Sequence, residues 1–209
     1  MSNYDALLRS FGPSAWWKLS DPVGSTSVKD WSGNGYTGTV NGGVTFGQAG
    51  PIAGEPQDTA ALFDGSTGYV ASTYEPTLTD CTLAVWARPT AAGGFLTVPG
   101  TIGLWSSTAA ISSNTSLFGN GSWVMGYAGP DMYDGNWHFV VGTYDGTSGR
   151  VYVDGVLVAG PTAQTALPAP TGGASIEGVS GWYGNTGSGK TAPGTIAQLA
   201  IFPTALTAA

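Results

Sequence analysis

Cysteine and histidine are almost absent from this sequence. Its 209 residues include one cysteine, Cys81, and one histidine, His138. A lone cysteine cannot form an internal disulfide bond, and we expect Cys81, in the apolar stretch 81–86, to be a buried and unreactive thiol. His138 lies between Trp137 and Phe139, where we predict a structural role. Since no G-x-S-x-G motif is present either, the sequence offers no nucleophile–histidine pair for covalent catalysis.

Charged residues are scarce as well. They make up 9% of the sequence, against roughly 25% in an average globular domain. Six Lys and Arg residues are scattered along a chain of net charge −7, whereas a phosphate-binding surface needs clustered cations. We therefore predict no nucleic-acid partner and no binding to an anionic membrane.

Long apolar segments are missing too. No apolar run reaches the length of a transmembrane helix, so we predict no membrane insertion. Residues 1–5 lack the basic and apolar regions of a secretory signal peptide, and we expect the protein to need none.

Glutamate occurs three times, at positions 55, 75 and 177. Glycoside hydrolysis requires two carboxyl groups about 5–9.5 Å apart, which a strand supplies most simply with acids two or four positions apart. None of the three glutamates has another acid at that spacing. We therefore predict no catalytic residues and no enzymatic activity.

What the sequence does contain is a series of short apolar segments separated by turns, among 34 glycines. The predicted strands are Ala15–Leu19, Gly43–Phe46, Ala60–Phe63, Gly68–Ala71, Cys81–Arg88, 101–105, 109–112, 122–127, Trp137–Tyr144, the two arms of a hairpin over Arg150–Val158, and Thr195–Phe202. The Asp154-Gly155 pair fits the tight turn of that hairpin. Residues 161–173 and 180–194 are predicted loops.

This pattern predicts an all-β protein built as an antiparallel two-sheet jelly-roll sandwich. A short N-terminal helix over residues 3–10, capped by Asn3 and ended by Gly12-Pro13, precedes it. We expect residues 1–13 to form an N-terminal helical arm and residues 14–209 to form one domain.

Several short motifs occur in an order that points to a known family. They are Asp30-Trp31-Ser32-Gly33-Asn34-Gly35, Phe63-Asp64-Gly65, Leu83 to Pro89, Asn136 to Val140 and Val151 to Gly155. Over residues 14–206 the sequence resembles the laminin G-like jelly-roll domains of the concanavalin A-like lectin/glucanase superfamily. The resemblance implies the concanavalin A-like fold, which serves lectins, glycosidases, adhesion modules and structural proteins alike.

The segment from Tyr4 to Trp17 resembles the start of stand-alone laminin G-like proteins of actinobacterial tailed phages. That narrower resemblance implies a non-enzymatic virion surface protein, such as a minor tail protein or a capsid decoration, assembled in the host cytoplasm. Its partners would be other virion proteins, or copies of itself in a symmetric oligomer, and a cell-surface glycan. Two alternatives stay open: a free carbohydrate-binding, lectin-like module and a glycan-active enzyme.

Four aromatic residues in polar loops are the candidate ligand-binding residues: Trp31, Tyr36, Trp182 and Tyr183. Large aromatic side chains exposed in loops favour contact with a partner, and they would stack on a sugar ring. They would equally close the ends of the sandwich or anchor a neighbouring subunit. Three further tryptophans lie in apolar strands and are predicted core residues: Trp17, Trp86 and Trp137.

The loop from Asp30 to Gly35 has two interpretations. The family resemblance implies a structural calcium ion held by Asp30 and Asn34, together with an acid on the last strand. Here Gln198 stands where relatives often have that acid, which weakens the site by one charge. In the alternative, Asp30 and Asn34 bond to the backbone of their own turn. Neither interpretation requires a further cofactor.

Overall fold

One short helix and sixteen strands account for the regular structure in the described part of the chain. The computed structural model describes residues 3–109, 112–119, 122–126, 129–176 and 193–207, without the side chains of 107–128 and 176. The elements are α1 (Asn3–Ser10), β1 (Ala15–Trp17), β2 (Ser27–Val28), β3 (Gly38–Asn41), β4 (Val44–Gln48), β5 (Ala60–Phe63), β6 (Tyr69–Ser72), β7 (Cys81–Pro89), β8 (Gly93–Val98), β9 (Ile102–Ala109), β10 (Ser112–Gly119), β11 (Ser122–Gly126), β12 (His138–Tyr144), β13 (Ser148–Val153), β14 (Val156–Ala163), β15 (Ser175–Ile176) and β16 (Gly194–Phe202). No described helix is long and apolar enough to cross a bilayer.

The strands form two antiparallel sheets. The first sheet has the order β14-β13-β12-β7-β16-β5-β4, with β1 also paired to β16. The second has the order β11-β10-β9-β8-β15-β6-β3-β2. The chain crosses repeatedly between the layers, since β6 lies in the second sheet, β7 in the first, β8 to β11 in the second and β12 to β14 in the first, and the last strand, β16, lies at the centre of the first sheet. This arrangement confirms the predicted jelly-roll sandwich and its short N-terminal helix.

The main core lies between the two sheets. In β12, Val140 and Tyr144 are buried in it, while Phe139 and Val141 point to the opposite face. This alternation follows from the two-residue period of a strand. Trp17, as predicted, is a fully buried member of the main core.

A second, smaller apolar cluster covers the outer face of the first sheet. Its buried members are Leu8 of α1, Trp16, Ala84, Ala200 and Phe202. The helix therefore packs on the face of the sheet that turns away from the main core. As a result β16 is buried along its whole length, which explains its nearly continuous apolar sequence.

Two of the predicted core tryptophans are not in the core. Trp86 alternates with the inward-facing Val85 and Ala87, so it is half-buried on the outer face of the first sheet. Trp137 precedes β12 and is half-buried, with the Arg88 guanidinium 5.2 Å from its ring. The prediction that these two tryptophans lie in the core was wrong. When both faces of a strand are covered, its sequence is apolar throughout and does not show which residues point into the main core.

Several predicted boundaries differ from the structure. The first strand ends at Trp17, since Leu19 has a left-handed backbone (φ 62°). Strand β14 continues to Ala163, into the predicted loop 161–173. Residues 110 and 111 of the predicted strand 109–112 lie outside the described residues, as do residue 127 and most of the predicted loop 180–194, although Gly194 begins β16. The strands β2, β3, β8, β10 and β15 were not predicted as strands, because their sequences are short or rich in Gly, Ser and Thr.

Cys81 is fully buried in the main core. Burial, with a smaller contribution from Asp80, raises the pKa of its thiol to about 12. We expect a reducing agent to leave Tm unchanged and a thiol reagent to label the native protein only after unfolding. Calorimetry and a thiol-labelling time course check this; rapid labelling of the native protein would contradict it.

Candidate functional site

An apolar groove of about 430 Å³ crosses the outer face of the first sheet. We call it the outer-face groove. Its floor includes Ala84, Phe139, Val141 and Tyr152, from the adjacent strands β7, β12 and β13. One wall consists of Tyr4, Leu7, Leu8 and Phe11 at the N-terminus, and Phe202 and Leu206 line the side nearest the C-terminal segment.

The register of the strands places the floor residues side by side. Val141 lies directly opposite Tyr152 of β13. Phe139 lies opposite Trp86 of β7, and the two ring centroids are 5.1 Å apart. Directly opposed positions on one face of a sheet are close enough for their side chains to touch, so three neighbouring strands present one apolar surface that carries the rings of Phe139 and Tyr152.

The polar side-chain groups in the described part of the groove lining are hydroxyls. Tyr4 Oη accepts a hydrogen bond from Trp86 Nε1 at 3.2 Å, and burial raises the pKa of Tyr4, so its phenol stays protonated at neutral pH. Thr82 Oγ1 donates to the Thr204 carbonyl and accepts from the Leu206 amide, which fixes the C-terminal segment beside the groove. No charged residue is among the described residues of the lining.

A buried ion cluster anchors the helical wall. Lys18 Nζ lies 2.9 Å from Asp5 Oδ1 of α1 and 2.6 Å from Asp58 Oδ1, and each of the three side chains is at most 7% exposed. Asp58 precedes β5, where the loop folds back on itself: a Cβ at Gly50 would overlap the Asp58 carbonyl oxygen. The cluster therefore ties the helix to the end of β1 and to this loop.

Trp31 lies on the same face as the groove. It is half-buried and packs against the outer cluster, which contributes Leu8 and Phe202 to the groove. Its ring lies 6.4 Å from that of Trp16, and Lys29 Nζ is 4.0 Å from its centroid. Its role in ligand binding stays a prediction.

Tyr36 lies elsewhere. It packs against the main core, with its ring centroid 4.7 Å from that of Tyr74. The structure thus places the predicted ligand-binding residues Trp31 and Tyr36 against different clusters. Trp182 and Tyr183 lie outside the described residues. The groove itself was missed, although the apolar residues at alternating positions of β7, β12 and β13 were a signal for a second covered face.

The Asp30–Gly35 loop is bonded partly to itself and partly to the chain around it. The Asp30 carboxylate accepts hydrogen bonds from the amides of Trp16, Ser32 and Tyr36 and from the Ser32 hydroxyl, at 2.8–3.1 Å. The two Ser32 bonds are those that the turn interpretation expects of Asp30, but Asn34 Nδ2 donates outside the turn, to the Ser14 carbonyl at 2.9 Å. Calcium at Asp30 and Asn34 stays a prediction. Among the described residues, no three acidic, Cys or His side chains are grouped as a metal site.

Gln198, where relatives often carry an acid, has a different role in the described structure. It lies at a β-bulge of β16 with a left-handed backbone (φ 55°). Its Oε1 accepts a hydrogen bond from Trp16 Nε1 at 2.9 Å, and its backbone N–H donates to the Lys18 carbonyl. It thus supports the tryptophan beneath the helix.

His138 is held between two carboxylates. Nδ1 lies 2.8 Å from Asp154 Oδ2, and Nε2 lies 3.2 Å from Asp134 Oδ1. Burial on its own lowers the pKa of His138, but the hydrogen bonds and charges of Asp154 and Asp134 together outweigh burial and raise it. The hydrogen bonds with Asn136, and then those with His138, lower the pKa of Asp134. The cluster links the loop before β12 to the β13–β14 turn, which agrees with the predicted structural role.

This arrangement predicts a pH-dependent contribution to stability. Because folding raises the pKa of His138 above its usual 6.5, the contribution is complete below that value and is lost as the pH rises through the folded-state pKa. We expect the stability advantage of wild type over His138→Gln to be larger at about pH 6 than at about pH 9. Urea unfolding of both proteins at the two pH values measures it, and an advantage that grows with pH would refute the arrangement.

Other acidic residues are also used in turns. Asp64 accepts bonds from the amides of Ser66, Thr67 and Gly68, and Asp145 accepts from Arg150 and two amides. These bonds hold the pKa of both carboxyls well below the usual range. Neither group matches the protonated acid that glycoside hydrolysis requires.

Solved structures with the same fold come from several carbohydrate-related proteins. Domain 4 of AbnA, a GH43 extracellular arabinanase from Geobacillus stearothermophilus solved with arabinotriose, has a TM-score of 0.65 at 17% identity, covering 93% of this chain and 94% of that one. Trypanosoma rangeli sialidase in complex with sialic acid has a TM-score of 0.59 at 15% identity, covering 94% and 31%. Botulinum neurotoxin type C, whose cell entry depends on two ganglioside molecules, has a TM-score of 0.60 at 14% identity, covering 97% and 50%.

These likenesses are likenesses of fold. The chain spans about a third of the sialidase and half of the neurotoxin structure. No curated protein matches the sequence. A laminin G family model, described as the concanavalin A-like lectin/glucanases superfamily, matches residues 64–209, more than half of the chain. The chain therefore belongs to this laminin G family of the concanavalin A-like lectin/glucanase superfamily.

Proposed function

We propose that the protein is a non-catalytic, glycan-binding module and that the outer-face groove is its binding site. The observation that carries the proposal is the aromatic surface of the groove, formed by Phe139, Tyr152, Tyr4 and Phe11. The C–H face of a sugar ring packs well on such rings, and the volume of about 430 Å³ lies within the range of small-ligand sites.

The acidic residues support a binding role over a catalytic one. The groove lining, in its described part, has no carboxylate that would serve as acid, base or nucleophile. The carboxyls of Asp64 and Asp145 are engaged in turns and held ionised. A binding module needs shape and stacking surface and no proton transfer, which is what the groove offers.

The fold neighbours add support of a general kind. One is a domain of an arabinanase solved with arabinotriose, and another is a sialidase solved with sialic acid. At 17% identity or less such likeness carries no residue-level role to this chain. It makes a glycan a reasonable first class of ligand to test.

Binding to an immobilised glycan array, followed by calorimetry on the best ligand, tests the proposal. We expect Phe139→Ala and Tyr152→Ala each to weaken binding by about tenfold, since each removes one stacking surface worth about 1.4 kcal/mol. Leu62→Ala is the matched control, because Leu62 is 40% exposed on the first sheet and lies outside the groove. Equal binding by all variants would place the site elsewhere, and no glycan binding at all would refute the function.

We also propose that the module acts on the virion surface of a tailed phage, alongside other virion proteins or in a symmetric oligomer. The support is the resemblance of residues 4–17 to stand-alone phage proteins and the position of Tyr4, Leu7, Leu8 and Phe11 in the groove wall. Mass determination by light scattering, with antibody labelling of phage particles, tests the placement. Oligomers or labelled particles are expected; a monomer that is absent from every particle would leave only the free lectin-like module.

A further inference from the structure

We infer that the outer-face groove is selective for neutral sugars that present an apolar face, and that it discriminates against sugars bearing carboxylate or sulfate groups. This inference rests on the proposed function and specifies its ligand class. Three features of the described structure support it: the apolar lining of the groove, the partners that the described cations already have, and the charges behind the helical wall.

The lining provides stacking surface and few polar groups. Phe139 and Tyr152 form part of the floor, Tyr4 and Phe11 part of the wall, and the hydroxyl of Tyr4 stays protonated. A ligand that fits this surface buries carbon–hydrogen faces and turns most of its hydroxyls to solvent. Neutral hexoses and deoxyhexoses have such faces, whereas an anionic group placed here would lose its water without gaining a cation.

Every cation among the described residues already has a partner. Lys18 is bound to Asp5 and Asp58, and Arg150 to Asp145. The other three lie over tryptophan rings: Arg9 over Trp16, Lys29 over Trp31, and Arg88 over Trp137. Acidic sugars are commonly recognised by a free guanidinium or ammonium group, and none of these five belongs to the groove lining.

The charges behind the helical wall repel an anion. Asp5 and Asp58 lie behind this wall, and their charges add to burial in raising the pKa of the Tyr4 phenol, which lines the groove. The chain as a whole has a net charge of −7. An acidic sugar approaching the Tyr4 end of the groove would therefore meet a negative local potential and a negative global one.

The inference sets this groove apart from what two fold neighbours are described as binding. Sialic acid, present in the sialidase structure, is a carboxylate sugar. Gangliosides, on which cell entry of the neurotoxin depends, carry the same sugar. This chain is at most 15% identical to both proteins. The shared fold therefore does not determine the charge of the ligand, which depends on the side chains of each protein.

The test is an array of matched pairs: glucose, galactose and mannose oligomers, each beside its uronic acid counterpart, on a common alkyl linker with bare-linker spots. At low salt we expect each neutral oligomer that binds to be preferred over its acidic counterpart by at least about tenfold. Leu7→Arg places a cation on the helical wall at a residue that is 58% exposed, so folding should be unaffected. It should reduce that preference at least threefold, while the control Leu62→Arg, which adds the same charge at an exposed residue of the first sheet outside the groove, should leave it unchanged.

The outcomes separate the inference from the function on which it rests. Acidic counterparts that bind as tightly as neutral ones, with Phe139→Ala still weakening both, would overturn the selectivity and leave glycan binding intact. Binding to the bare alkyl linker would also overturn the inference, because it would show that the groove binds an alkyl chain and not a sugar. Binding to no oligomer on the array would remove the proposed function and the inference together.

Discussion

Replacing Lys18 with methionine is expected to lower the free energy of unfolding by about 3–5 kcal/mol, the usual cost of removing one partner from a buried ion pair. The ammonium is bound to Asp5 and Asp58, and all three side chains are at most 7% exposed. Without it, Asp5 and Asp58 lose the cation that lies within 2.9 Å of both buried carboxylates. Since small domains are stable by only about 5–15 kcal/mol, the variant should lose a large part of its stability.

The loss of stability in Lys18→Met should begin with local release of the N-terminal helix. Asp5 is the residue of α1 that contacts Lys18, so breaking the pair should release the helix from the outer face of the first sheet. Tyr4, Leu7 and Leu8 would leave the groove wall with it. Hydrogen exchange should therefore show faster exchange in residues 3–10 of the variant, and ligand binding at the groove should weaken.

Lys29→Met is the matched control. Lys29 contacts the same ring, that of Trp31, as Lys18 does, but Lys29 is exposed. An exposed cation over a ring contributes about 0.5–1 kcal/mol, so this variant should change stability by no more than that. Urea unfolding of both variants gives the comparison.

A triple variant separates charge imbalance from lost packing. Lys18→Met with Asp5→Asn and Asp58→Asn replaces both carboxylates that contacted Lys18 by neutral amides, and it should recover most of the lost stability because buried ion pairs add little over neutral groups. If the triple variant is as unstable as Lys18→Met alone, the cause is packing. If Lys18→Met costs no more than Lys29→Met, the cluster does not hold the helix as described.

The fold was largely predictable because its signals are local. Period-two alternation, the Asp154-Gly155 turn and the apolar segment 195–202 each identify their element from a few neighbouring residues. Strand β10, with Ser, Thr and Asn at most positions, has no such local signal and is defined by pairing with β9 and β11. Its register depends on tertiary contacts that a sequence pattern does not contain.

The candidate site was less predictable because it depends on which face of a strand is covered. Phe139 and Val141 are as apolar as inward-facing residues, and only the packing of α1 shows that they belong to a second cluster. The ion cluster joins positions 5, 18 and 58, and no spacing rule connects them. By contrast, the two bonds from Ser32 to Asp30 follow the loop motif and were available from sequence, whereas the bond from the Trp16 amide was not.

Asp30→Ala is expected to lower the free energy of unfolding by about 3 kcal/mol or more, because buried donors that lose their acceptor cost about 1–3 kcal/mol each. The carboxylate accepts from the amides of Trp16, Ser32 and Tyr36 and from the Ser32 hydroxyl, and Asp30 is buried. The amide of Trp16 lies in a strand that is buried throughout, so solvent does not replace the lost bond. Thermal and urea unfolding measure the effect.

Asp64→Ala provides a control with the same number of bonds in a different setting. Asp64 also accepts from three amides and one hydroxyl, but it is exposed. Water can solvate the donors that this substitution frees, so the expected loss is about 1 kcal/mol. A loss for Asp64→Ala as large as that for Asp30→Ala would show that the number of bonds matters and that burial does not.

Calcium distinguishes the two interpretations of the Asp30 loop in the same experiment. A carboxylate that already accepts four hydrogen bonds would have to give up several of them to bind a cation that demands six to eight oxygen ligands. We therefore expect millimolar calcium and a chelator to leave Tm of the wild-type protein unchanged. A rise in Tm with calcium that disappears in Asp30→Ala would instead establish the calcium site, and the large effect of the substitution would then be loss of the ion.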